Sequence, residues 1–255
     1  MSEVIIWKII REIAGILHGP LRMIDYDGHF GRNCVLTFDD GPNENTIKVL
    51  DALKMCNVRG AAFCVQGVNV KKYPWILRRI VDDGHTLANH TYDHPHLPKL
   101  SGKRIVRQLR MCQDAVNDAL GRQYILTQMR PPYGSLDYRV LTMLHALNLE
   151  VLLWQADGKD FLPENQRNPD FIVQKVFEEA VRIGRGGLIL LHDIHETTAN
   201  IIPVIIQLFT SNGMEFTSVK ELMDRKYHKR NNYTLSLLSR VCRKVRQHHR
   251  DYIQF

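Results

Sequence analysis

At 255 residues and with ordinary apolar content, the chain holds enough material for one large domain or two small ones around a sizeable core, which excludes a disordered or fibrous protein. Its net charge of +7 is lopsided: residues 225–255 carry nine Lys or Arg against the single acid Asp251, a net of +8, and the rest is left at −1. Basicity therefore belongs to the tail and does not mark the main domain as a nucleic-acid binder.

In chain order, residues 4–17 are strongly apolar with Lys8, Arg11 and Glu12 grouped on one helical face, and no small-residue cleavage site follows. The reading is an amphipathic N-terminal helix within a lead-in over 1–30, packed on the domain or lying on a membrane surface, rather than a signal peptide. The run Val35-Leu36-Thr37-Phe38 then ends in Asp39, Asp40, Gly41 and Pro42, the pattern of a buried strand delivering two carboxylates to a loop. Helical spacing follows over 46–55, a strand over 60–65, a helix over 73–82, a brief strand over 86–88 and a long helix over 101–120 stopped by Gly121. Residues 126–129 are extended up to two prolines, and a helix over 137–147, a strand over 150–154 and a helix over 169–183 lead to the apolar strand 188–191. A helix over 199–210, a strand over 215–218 and a short helix complete the body. This alternation predicts an α/β fold of parallel βαβ units, about seven strands with no domain linker among them. The count favours a closed or nearly closed barrel, with a doubly wound open sheet as the alternative.

Parallel α/β proteins place their chemistry at the C-terminal ends of strands. Two carboxylates at the edge of a core call for a cation or a shared proton; the plainer reading is that Asp39 and Asp40 open a turn or cap the helix near Asn45. After the third strand, His90 and His94 are four apart on one side of a predicted helical turn, so that both imidazoles can converge on one ion. Asp, His, His and a water form the three-ligand, open-position arrangement of a hydrolytic zinc site. Arg130, followed by Pro131 and Pro132, puts a permanent cation and a stiffened turn where a carboxylate and a developing oxyanion require them. His192 ends the strand 188–191 as a candidate proton donor, and Asp157 and Asp160 offer acids to orient it. Each fragment alone has a structural explanation. Five in register with strand ends point to one site.

Thr37-Phe38-Asp39-Asp40-Gly41-Pro42, His90-Thr91-Tyr92-Asp93-His94, Arg130-Pro131-Pro132-Tyr133, the segment from Asp157 to Phe161, and Leu190-Leu191-His192 resemble the motifs of polysaccharide deacetylases with a NodB-type domain, carbohydrate esterase family 4. The resemblance covers residues 34–224. It implies a distorted, incomplete (β/α) barrel and metal-dependent removal of N-acetyl or O-acetyl groups from a glycan such as chitin oligomers or peptidoglycan. It further implies that Asp40, His90 and His94 hold a divalent metal, usually zinc with cobalt or manganese as alternatives, and that Asp39 is the general base, steadied by Arg130. The backbone N–H of Tyr133 would help bind the oxyanion, and His192, tuned by Asp160, would be the general acid. Leu190 would wall the pocket for the acetyl methyl, with Tyr133, Phe161 and Asp157 also facing substrate. One departure is Phe161, which stands where the family has tryptophan and lacks the indole N–H and some ring area.

Five widely spaced cysteines with no Cys-x-x-Cys pair read as core residues of a reducing, cytoplasmic compartment, and no stretch reaches the roughly 20 apolar residues that span a bilayer. The expected organisation is a lead-in over 1–30, a deacetylase-like domain over 31–224 and a basic tail over 225–255. In that tail Leu235, Leu238, Val241 and Val245 recur at helical spacing, suiting packing or an anionic membrane surface. Aromatic interleaving is missing, which disfavours nucleic acid. Two other function classes stay open: a catalytically silent carbohydrate-binding relative, and a metal hydrolase acting on a non-glycan amide.

Overall fold

The computed structural model describes residues 23–24, 31–182, 186–222 and 224. The chain divides into two compact units, residues 1–218 and 219–255. Of the second, residues 219–222 and 224 are helical. The expected helices over 4–17 and in the basic tail lie outside the described residues, as does Cys242.

The first unit is an α/β incomplete barrel. Its strands are β1 (Met23–Ile24), β2 (Asn33–Asp39), β3 (Ala62–Val65), β4 (Thr86–Asn89), β5 (Gln128–Met129), β6 (Glu150–Leu152), β7 (Ala156–Asp157), β8 (Gly187–His192) and β9 (Glu215–Phe216). All pair in parallel, in the order β1-β6-β5-β4-β3-β2-β8-β7, with β9 beside the start of β2. The seven from β2 to β8 form the curled half-barrel. Its helices are α1 (Glu44–Met55), α2 (Gly67–Lys72), α3 (Pro74–Asp82), α4 (Gly102–Leu120), α5 (Tyr138–Ala146), α6 (Pro163–Gln166), α7 (Pro169–Arg182) and α8 (Glu196–Ser211).

The curl follows from chain geometry. β6 and β7 stand six places apart in the sheet, about 29 Å if the sheet were flat. Yet Leu152 and Ala156 are separated by four Cα steps, at most about 14 Å at full extension. The sheet must bend round until its two ends approach. This also corrects the single strand expected over 150–154: the chain leaves β6 after Leu152 and crosses to the opposite end of the sheet as β7.

Period-two alternation sorts β2. Cys34, Leu36 and Phe38 join the core beneath the helices, whereas Thr37 and Asp39 share the other face, toward the barrel interior. β8 divides likewise: Ile189 and Leu191 enter that core, and Leu190 and His192 line the cavity at the strand ends. A second core cluster packs α4 and α5 against β5 and β6 through Ile105, Leu109, Val140, Leu144, Met129 and Val151. Cys34, Cys56, Cys64 and Cys112 are free thiols. No helix among the described residues is long and apolar enough to cross a membrane.

Candidate active site

A cavity of about 300 Å³ opens at the C-terminal ends of the strands. Asp39 and Asp40 both line it, although neighbours on a strand point to opposite faces. The conflict resolves in the backbone: Asp40 lies just past β2 with φ of 76°, and this left-handed residue turns its side chain back toward Asp39. Asp40 does not cap α1; Asn43 does, its side chain accepting from Asn45 and Thr46 N–H.

His90 and His94 come from a loop rather than the expected helical turn. Thr91 and His94 have φ of 67° and 62°, and Thr91 Oγ1 accepts the His94 N–H at 3.1 Å. The imidazoles still converge. His90 Nε2 and His94 Nε2 are 3.2 Å apart, and lie 3.5 and 3.4 Å from Asp40 Oδ1. His90 Nδ1 donates to the Arg130 carbonyl at 2.7 Å, which leaves a lone pair on Nε2 facing the cluster. Four ligands at zinc distances of about 2.0–2.1 Å stand about 3.3 Å apart at the corners of a tetrahedron. The three atoms therefore fit a divalent ion without rearrangement. Gln66 Nε2 donates to Asp40 Oδ1 at 2.6 Å and fixes the carboxylate's orientation. Burial opposes ionisation of Asp40, but the adjoining imidazoles, His90 foremost and then His192 and His94, hold it well below the usual carboxylate range. Burial and the neighbouring His90 lower His94, which favours the neutral ring that ligation requires.

Asp39 sits 3.7 Å from His90 Nε2, beside the cluster. Beneath it lies Arg130, fully buried, whose Nη1 donates to Asp39 Oδ1 at 2.7 Å and to Thr37 Oγ1 at 2.8 Å. Its Nε and Nη2 each donate at 3.3 Å, to the carbonyls of Leu152 and Leu153. Burial disfavours the charged guanidinium, but Asp39, together with Cys64 and Asp157, more than offsets it.

His192 lies across the cavity. Its Nδ1 donates to Asp160 Oδ1 at 2.7 Å, while Asp160 Oδ2 accepts the His192 N–H at 2.7 Å and the Thr198 hydroxyl at 2.6 Å. Burial alone would lower the imidazole's pKa, but the bond to Asp160 and the charges of Asp160, Asp39 and Asp40 raise it to about 9. His192 is thus a cation at neutral pH.

Of the sequence-predicted residues, Asp39, Asp40, His90, His94, Tyr133, Asp157, Phe161, Leu190 and His192 line the cavity, and Arg130 and Asp160 lie buried behind it. Asp157 is committed to Lys159: Oδ1 accepts its N–H at 2.8 Å and Oδ2 pairs with Nζ at 2.7 Å, so Asp160 is the acid that reaches His192. Phe161 meets the His192 ring edge-on at 5.4 Å. Sequence reasoning missed Thr37, although its place two residues before Asp39 puts both on one strand face. It also missed Trp154, a cavity wall that approaches so closely that a Cβ on Gly134 would lie 2.7 Å from its ring. Gln66 and Thr198 reach the site from distant segments and leave no local signal.

Residues 29–152 match the polysaccharide deacetylase family model. The solved structure of peptidoglycan deacetylase PdaC from Bacillus subtilis superposes with a TM-score of 0.70 at 33% identity, covering 83% of this chain and 98% of that one. The chain belongs to the polysaccharide deacetylase family. Among curated members of that family, peptidoglycan-N-acetylglucosamine deacetylase PgdA of Listeria monocytogenes is 36% identical over 196 residues, 76% of this chain and 40% of that protein. Chitin deacetylase 2 of Saccharomyces cerevisiae is 34% identical over 168 residues, 65% of this chain and 51% of that protein. The chain thus spans about half or less of the length of these polysaccharide deacetylases.

Proposed function

We propose that this protein hydrolyses acetyl groups from an N-acetylated glycan of the peptidoglycan or chitin type, with a divalent metal held by Asp40, His90 and His94. The observation that carries the reading is the placement of a carboxylate outside the cluster, Asp39, and a cationic imidazole, His192, around one three-ligand cluster. A bound zinc ion would bring the pKa of a coordinated water near 7 and polarise the acetyl carbonyl. Asp39 takes the proton from the attacking water, and Arg130 holds that carboxylate in place. His192 delivers its proton to the departing sugar nitrogen, and Asp160 holds the ring through Nδ1 so that Nε2 faces the reacting bond. The Tyr133 N–H receives the developing oxyanion, and Leu190, 4% exposed, closes the space around the acetyl methyl.

Purified protein is expected to carry a stoichiometric metal and to release acetate from N-acetylglucosamine oligomers or peptidoglycan fragments. Asp39→Asn should lose at least a hundredfold in turnover and keep its metal, whereas His94→Ala should lose both. Metal loss in Asp39→Asn would overturn the base assignment. Bound metal without acetate from any glycan would move the reading to a non-glycan amide or to a silent binding protein.

A further inference from the structure

We infer that His96, which none of the recognised motifs contains, is a positioning residue that holds Tyr133 in its working conformation; this rests on the proposed deacetylase reading. Tyr133 has φ of 61° and ψ of 11°, the left-handed region, where a bulky residue with a Cβ is disfavoured by about tenfold or more in population. Tyr133 is 60% exposed as a residue, so burial in a core does not hold it there. Neighbouring rings do. His96 stacks face to face on Tyr133 with centroids 4.0 Å apart and planes 15° from parallel, and His94 meets the same ring at 4.5 Å, tilted by 58°. Both histidines belong to one short loop, His94-Pro95-His96, which therefore grips the tyrosine while presenting a metal ligand. Backbone bonds complete the turn, Gly134 N–H donating to the Pro131 carbonyl at 2.9 Å and Ser135 N–H to the Pro132 carbonyl at 3.0 Å. An aromatic stack offsets a penalty of about the size that the left-handed residue incurs. Without His96 that balance shifts, and with it the direction of the Tyr133 N–H.

The test compares His96→Ala and His96→Phe by crystal structure and by turnover on an aryl acetate and on N-acetylglucosamine oligomers. His96→Ala should keep its metal and its KM, lose about tenfold in kcat, and show residue 133 outside the left-handed region. His96→Phe retains a stacking ring without a titratable group and should restore the conformation and kcat to within about threefold. A left-handed Tyr133 in the alanine variant, or a phenylalanine variant no better than alanine, would overturn the inference. If the wild type releases no acetate from glycans, the deacetylase reading fails, while the conformation of residue 133 in the two variants still decides the role of His96.

Discussion

Two buried titratable groups at the end of β8 are both raised, one against burial and one by it, and each carries a prediction. His192 is raised to about 9 against the desolvation that opposes it, through Asp160 and the two aspartates of the cluster. A group raised above its unfolded value of about 6.5 adds stability in full below that pH and loses it as pH rises through about 9. Turnover that needs the protonated ring should fall on the same alkaline side. A cation on Asp40 weakens part of the lift, but Asp160 remains; Asp160→Asn should therefore move the alkaline limb of the kcat profile down by about a pH unit or more. An unmoved limb would show that Asp160 does not set the acid. The next residue, Asp193, is fully buried against Gly41, where a Cβ would lie 2.1 Å from its Oδ2, and its Oδ1 has no partner among the described residues. Burial, with the charges of Asp40 and Asp39, pushes it up to about 7 despite the bond from Thr46. Stability should accordingly be greatest below about 4 for this group and decline as pH climbs through about 7. Asp193→Asn, a neutral isostere, should flatten that part of the dependence of Tm on pH; an unchanged slope would refute the assignment.

At the scale of elements, the site depends on approaches between segments distant in sequence. α8 supplies Thr198 in its first turn, and the buried hydroxyl donates to Asp160 from 38 residues away. Thr198→Val keeps the shape but leaves Asp160 short of one donor; a hydrogen bond to a charged acceptor contributes about 1.5–3 kcal/mol. The expected result is a loss of roughly tenfold in kcat with unchanged KM and metal content, and equal loss in KM would place Thr198 against substrate instead. The same distinction explains what the sequence makes legible. β2 and β8 are apolar runs buried along almost their whole length, so composition alone announces them, and the residues at their ends announce the site. α2, six residues long, offers too little periodicity to be seen, and the crossing from β6 to β7 is invisible because the apolar run continues past β6 through Leu153 and Trp154, while β7 itself is only Ala156 and Asp157. The His90 to His94 loop shows the limit from the other side. Its spacing suggested a helix, but convergence is achieved by left-handed residues that spacing does not encode.

For the whole unit, the question is what draws the two ends of a curled parallel sheet together. Arg130, at the end of β5, answers in one side chain: it bonds Thr37 and Asp39 on β2 and the carbonyls of Leu152 and Leu153 where the chain leaves β6 for β7. Thr37 in turn donates to the Ile189 carbonyl of β8 at 2.7 Å. One guanidinium thus ties the floor of the cavity to the crossing that bends the sheet. Arg130→Met should cost about 3–5 kcal/mol, because Asp39 is left as an unpaired charge at 4% exposure. The double variant Arg130→Met with Asp39→Asn removes that charge as well and should recover most of the stability while remaining inactive. Denaturant unfolding of the two single variants and the double one gives the coupling directly. Additive costs would mean that the cation braces the carbonyls of the crossing and not Asp39; recovery in the double variant would mean that the charge proposed to act as the base is also the charge for which this fold buries an arginine.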